Sequence, residues 1–221
     1  MPFDLDDQLA AMTRTVRSGS RDGRPTKAVI ASRTYHTSPE DLWDAITRPE
    51  RLERWFLPVS GDLRRGGHYQ LQDNAGGVIE ACEAPHQLAA TWEYGGQLSW
   101  LRVDIAPSDH GARLELQHVA PVDRGSPGAE HWATFGPGAA GVGWELAFQG
   151  LARHLGDPDA PVPDPETVAA WAASSEAHAL YSAASRAWAE AAIADGAPEE
   201  AALAAAERTR AFYTGDTQAG G

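Results

Sequence analysis

Residues 38–71 read SPEDLWDAITRPERLERWFLPVSGDLRRGGHYQL, and their punctuation describes two short helices, a turn and a strand. Ser38 is a good helix N-cap, Pro39 fits the first helical position, and Asp41 stands where the carboxylate of a capping box reaches back. Leu42 and Ile46, four apart with Trp43 beside them, give that helix an apolar face. Pro49 ends it and opens a second, because a proline suits a first helical position while the residue before it avoids helical geometry. Leu52, Trp55 and Phe56 follow at i, i+3 and i+4, and Pro58 stops the second helix. Gly66-Gly67 then turns the chain into a strand in which Tyr69 and Leu71 share one face.

Working outward, KAVIASRTYHT at 27–37 is rich in β-branched and aromatic residues and predicts a strand leading into the helix pair. Before it, Leu5, Leu9, Met12 and Val16 at steps of four, three and four predict an amphipathic helix over 3–17, with a polar linker at 18–25. After the pair, strands are expected at 67–72, 77–84, 87–94, 98–106 and 111–120, joined by short Gly-, Pro- and Asn-bearing turns. Such short connections imply an antiparallel meander. Alternation puts Leu88, Ala90 and Trp92, then Leu101, Val103 and Ile105, then Leu114, Leu116 and His118 on the inner face.

Residues 121–138, full of Pro and Gly, predict a long loop in which WATF at 132–135 adds a short ordered piece. From Ala139, Trp144, Phe148, Leu151 and Leu155 recur at helical spacing until Gly156, which describes a long helix laid across a sheet. A proline-rich linker at 157–165 precedes two helices, 166–194 and 198–213. The first carries Trp171, His178, Tyr181 and Trp188 as a stripe on an alanine-rich surface. Four aromatic residues of this kind need a partner surface, either the main domain or a second copy of the chain.

Composition limits the function. A 221-residue chain with 43% hydrophobic residues can bury a core. Its formal charge of -13 argues against nucleic-acid and anionic-membrane partners, which attract positive surfaces. No apolar run approaches the ~20 residues that span a bilayer. Cys82 is the only cysteine, so no internal disulfide or thiolate metal cluster is expected and the cytoplasm is the natural compartment. None of the eight histidines forms HxH, HxxxH or HExxH, and no metal or cofactor is expected.

A strand, two short helices, a meander and one long C-terminal helix make an α+β helix-grip arrangement. Within it LWDAIT at 42–47, PERLERWF at 49–56, GDLRRGG at 61–67, GGVIEACEAPHQLAATW at 76–92, GARLELQH at 111–118 and GWEL at 143–146 occur in order. In these motifs residues 27–155 resemble the START-like (SRPBCC, Bet v 1-like) superfamily, in the branch related to the C-terminal domain of the activator of Hsp90 ATPase. The resemblance implies a seven-stranded sheet wrapped on the long helix, with a cavity between them that in many relatives holds a hydrophobic small molecule. Lipid carriers, hormone receptors, polyketide cyclases and co-chaperones share that fold, so it implies no single activity. The expected organisation is an N-terminal helix and linker (1–26), a helix-grip domain (27–156) and a helical extension (157–221).

Candidate ligand-binding residues are Trp55, Tyr69, Trp92, His118, Trp144 and Phe148, lining a cavity that opens near the second short helix; ~300–1,000 Å³ is usual for such a site. His118 is also the candidate catalytic residue, because an inward imidazole can act as acid or base; the plain alternative is a hydrogen-bonded core histidine. Glu80 and Glu145 could supply a carboxylate, although Glu145 lies off the apolar stripe, where solvent or a loop is the expected neighbour. The expected function is to bind a small, largely apolar molecule as carrier or sensor. The alternatives are a cyclase- or isomerase-type enzyme using His118 on a polyketide-like or aromatic substrate, and a protein-interaction or co-chaperone-like module. The C-terminal helices are the surface on which a homodimer would form.

Overall fold

The computed structural model describes residues 4–216; the outermost parts of the expected terminal segments, residues 1–3 and 217–221, lie outside the described residues. The fold is α+β, a helix grip with added helices. Its elements are α1 (Leu5–Ala10), β1 (Thr13–Arg21), β2 (Arg24–Tyr35), α2 (Pro39–Thr47), α3 (Pro49–Leu52), β3 (Val59–Gly61), β4 (His68–Leu71), β5 (Gly76–Glu83), β6 (Gln87–Tyr94), β7 (Gln97–Ser108), β8 (Gly111–Pro121), α4 (Pro127–Phe135), α5 (Gly138–Gly156), α6 (Pro165–Ala172), α7 (Ser175–Ala194) and α8 (Glu199–Thr214).

All eight strands form one antiparallel sheet in the order β1-β2-β8-β7-β6-β5-β4-β3. The chain leaves β2 near one edge and resumes at β3 on the other, so α2 and α3 carry it across the inner side of the sheet. As the sequence predicts, Ser38 caps α2: its Oγ accepts the Asp41 backbone N–H at 3.2 Å. The Asp41 carboxylate does not close a capping box. It accepts instead from Thr37 Oγ1 at 2.6 Å and Arg51 Nη1 at 2.6 Å. Leu42 and Ala45 bury the inner face of α2 completely. The second helix is one turn long, but Trp55 and Phe56 still follow its curl, with the Phe56 N–H donating to Leu52 O at 2.9 Å.

The N-terminal segment differs from its expectation. Instead of a helix over 3–17 and a linker, α1 ends at Ala10, and β1 pairs with β2 along its whole length, from Thr13 with Ser32 to Arg21 with Arg24. Met12 and Val16, four apart, fit either period, and in the extended chain that enters and forms β1 both are buried in the core. Asp22 and Gly23, both with positive φ (53° and 76°), make the tight hairpin turn that suits the twist of the flanking strands. With β1 and the short β3, the sheet has eight strands rather than the seven implied by the resemblance. Residues 127–135 are likewise a helix, α4, capped by Ser126, rather than loop.

α5 crosses the inner face of the sheet, and the C-terminal helices pack on its far side. The expected single helix over 166–194 is two, broken where Ser174 caps α7. Trp188 of α7 is fully buried against Gly141 of α5, where any side chain would overlap its ring. The aromatic stripe is thus covered within the chain: Tyr181 is 3% exposed, between Trp171 and Tyr213 of α8. Asp195, at the end of α7, ties these helices to the first hairpin by accepting from Ser18 Oγ at 2.7 Å and Lys27 Nζ at 2.8 Å.

Candidate functional site: an apolar cavity under the long helix

Between the sheet and α5 lies a cavity of about 180 Å³. Its floor is the inner sheet face, including Leu88 and Ala90 of β6, Leu101 and Val103 of β7, and Leu114 and Leu116 of β8, as the alternation pattern predicts. Its roof is α5, through Trp144, Phe148 and Leu151 at i, i+4 and i+7. The α2–α3 crossing and the chain that follows it close the side with Leu52, Trp55, Phe56 and Val59. Leu63 and Cys82, both solvent-exposed, belong to the lining and mark where it opens. The volume is below the 300–1,000 Å³ expected, because large rings reach in from three elements.

Those rings touch one another. Trp55 stacks on Phe56 at 5.5 Å between centroids, Phe56 on Trp144 at 6.1 Å, and Trp144 meets Trp92 edge-on at 5.4 Å. Such pairs hold each other's orientation and add to the burial of their area. Three polar groups at the wall are engaged by the protein itself. Trp55 Nε1 donates to Ala45 O at 3.0 Å, Thr47 Oγ1 to Trp43 O at 2.7 Å, and Tyr69 OH to Thr91 O at 2.7 Å. Burial, helped by the charge of Glu93, pushes the Tyr69 phenol up to about 12, so it stays protonated and keeps that bond.

The crossing is anchored from outside the cavity. Arg51 donates through Nε to His154 Nε2 on α5 at 3.2 Å, and Arg54 through Nη2 to Ala160 O at 2.8 Å. Burial, then the charges of Arg51 and Arg54, lower the His154 pKa and leave Nε2 free to accept.

Of the six candidate ligand-binding residues, Trp55, Tyr69, Trp92, Trp144 and Phe148 line this cavity. His118 does not; it lies behind Trp92 and Trp144, with both ring nitrogens engaged. Nδ1 accepts from Trp144 Nε1 at 3.1 Å, and since an indole only donates, the imidazole proton sits on Nε2. Nε2 donates to Ser99 Oγ at 2.9 Å, whose hydroxyl donates to Trp92 O at 3.1 Å. Burial, with a smaller repulsion from His131 on α4, pushes the His118 pKa down to about 4, so the ring is neutral near pH 7.

Neither candidate carboxylate reaches the cavity. Glu80 is exposed and pairs with Arg21. Glu145, expected at solvent or a loop, is 2% exposed: it takes both Arg14 Nε and Nη2, at 2.7 and 2.8 Å, and the Trp188 indole N–H at 2.6 Å. Sequence reasoning also passed over Leu52, Phe56 and Leu63, although Leu52 and Phe56 share the helical stripe that singled out Trp55. Among the described residues no three His, Cys, Asp or Glu side chains gather as a metal site requires. No described helix is long and apolar enough to cross a membrane.

The family model for activator of Hsp90 ATPase homolog 1-like proteins matches residues 36–156, from the start of α2's approach to the end of α5. The chain belongs to that family. Among solved structures it is similar to CalU16 of Micromonospora echinospora. Against the solution structure it is 29% identical, with a TM-score of 0.67 over 84% of this chain and 97% of that one. Against the crystal structure the values are 27%, 0.62, 83% and 99%. Protein MLL2253 of Mesorhizobium loti shares the fold at 22% identity, with a TM-score of 0.51 over 60% of this chain and 99% of its own. The family model spans just over half of the chain, so the likeness to CalU16 extends well beyond residues 36–156 into the added elements. No curated protein matches the chain.

Proposed function

We propose that this protein binds one small, largely apolar molecule in the cavity between the sheet and α5, as a carrier or sensor. The observation that carries this reading is the wall itself: apolar and aromatic side chains from sheet, long helix and α2–α3 crossing, with the polar groups of Trp55, Thr47 and Tyr69 turned to partners in the protein. Burial of apolar area is the driving force such a wall offers, at about 25 cal/mol per Å². A ligand hydroxyl or carbonyl would lose its water there with few partners in return and would be penalised. Membership of a fold that holds small hydrophobic ligands supports the same reading.

The geometry favours binding over a cyclase- or isomerase-type reaction. Acid–base catalysis needs a titratable group within hydrogen-bond reach of the substrate. Among the described residues no carboxylate or histidine lines the cavity, and its one phenol is already donating. An interaction role through residues 171–188 is disfavoured, since Tyr181 and Trp188 are buried inside the chain. A homodimer on the C-terminal helices would have to rest on exposed residues such as Phe212, 57% accessible. Native mass spectrometry of protein purified from its own host tests the proposal. A co-purifying apolar molecule of up to two fused rings in size supports it; a strictly ligand-free protein that also ignores added apolar molecules contradicts it.

A further inference from the structure

One end of the cavity is closed by two indoles, those of Trp92 and Trp144, with the imidazole of His118 completing a triangle of rings 5.4 to 5.9 Å apart. The three come from different elements, β6, α5 and β8, and no local sequence pattern orients them together. The hydrogen-bond relay does. Trp144 donates to His118, His118 to Ser99, and Ser99 to the Trp92 carbonyl, and each step leaves the next group one role to play. Phe56 and Trp92 hold the Trp144 ring by stacking and edge contact, and the His118 bond adds the one hydrogen bond that fixes the direction of its indole N–H.

We propose that His118 is a positioning residue that sets the depth of the cavity, and through it the size of ligand admitted. This rests on the reading of the cavity as a binding site, and it assigns His118 no contact with the ligand. At about 180 Å³ the cavity is slightly larger than the roughly 150 Å³ apolar cavities that hold benzene. Its walls therefore seat one ring or two fused rings, and a third ring has to project through the opening at Leu63 and Cys82. Without an acceptor at position 118, the Trp144 indole N–H loses its fixed direction, the ring samples other tilts, and that end of the cavity yields to longer ligands.

The test compares the wild type with His118→Leu, which has no acceptor, and His118→Asn, whose amide can both accept and donate. Naphthalene and phenanthrene are the probes, titrated against the amide and indole signals of the full chain. The wild type should prefer naphthalene; in His118→Leu that preference should fall about two- to tenfold, the weight of one hydrogen bond, and His118→Asn should recover part of it. A folded His118→Leu protein with the wild-type preference would overturn the proposal. Hydrogen exchange of the Trp144 indole N–H gives a second reading that needs no ligand: slow in the wild type, faster in His118→Leu. If neither probe binds the wild type, the cavity reading fails, while the exchange result still decides whether His118 holds Trp144; an unchanged rate would reject it. Should His118→Leu fail to fold, Ser99→Ala removes the next member of the relay and should shift preference and exchange in the same direction, and no shift would count against the proposal.

Discussion

Arg14, on the edge strand β1, grips Glu145 in the middle of the long helix with two nitrogens, at 2.7 and 2.8 Å, in the protein interior. The pair joins elements 131 residues apart, and Trp188 adds the C-terminal extension by donating to the same carboxylate. Removing one partner of a buried ion pair strands the other charge, at a cost of about 3–5 kcal/mol, whereas removing both charges costs far less. Arg14→Met should therefore lower unfolding stability by about that amount. Adding Glu145→Gln, which keeps an acceptor for Trp188, should restore most of it. Urea unfolding of both variants checks this; a double variant no more stable than Arg14→Met would show that the charge is not what costs.

The extension is part of the core. A Cβ at Gly141 would overlap the fully buried Trp188 ring, and neither can move without disturbing α5 or α7. Gly141→Ala should cost about 1–3 kcal/mol by overpacking, despite the better helix propensity of alanine. Truncation after Gly156 should cause aggregation or a clear loss of stability, because it removes Trp188 from Gly141 and Glu145. A truncated protein as soluble and stable as the full chain would contradict this.

Acid should act through His118. Its folded pKa of about 4 lies below its ordinary 6.5, so between those values the unfolded chain holds the extra proton. The contribution is complete above pH 6.5 and is lost as pH falls toward 4, by at most about 3 kcal/mol. His131 and His154 are lowered in the same direction, by burial first in each case, so the slope has several contributors. His118→Asn should flatten its share of the slope between pH 6.5 and 4 in urea titrations at several pH values; an unchanged slope would mean the imidazole is not held neutral.

Much of this arrangement is legible in the residues, and what is not has physical reasons. Ser38-Pro39 announces α2, and the alternation in β6, β7 and β8 places Trp92, Leu101 and Leu116 on the cavity side. The same Ser-Pro signal recurs at Ser126-Pro127, where α4 begins inside a stretch whose Pro and Gly content suggests loop. β1 is hidden because Met12 just before it and Val16 within it fall at a spacing that serves helix and strand alike, although Asp22-Gly23 between two extended runs is a hairpin signal. Glu145 is misplaced by pattern alone because its partner lies 131 residues away. For His118 the inward direction is readable, but that both nitrogens are engaged depends on Ser99 and Trp144, which no spacing links.

Trp55 is the ring through which ligand binding is most open to change. It lines the cavity and donates to Ala45 O, but stands on the crossing rather than in the sheet or α5. Trp55→Ala should weaken apolar ligand binding by about 1–3 kcal/mol, the transfer value of a large side chain, while leaving a folded protein. Calorimetric titration with naphthalene checks it; unchanged affinity would remove Trp55 from the site.

A cavity that binds a small apolar molecule should take up an apolar ring offered to it. Anomalous diffraction from crystals soaked in iodobenzene measures it most directly, because the iodine marks where an apolar ring settles. An iodine peak is expected inside the cavity, among Phe56, Trp144 and Leu116 and away from the imidazole of His118. A cavity empty of iodine at saturating iodobenzene, with the Trp55, Phe56 and Trp144 rings undisturbed, would contradict it.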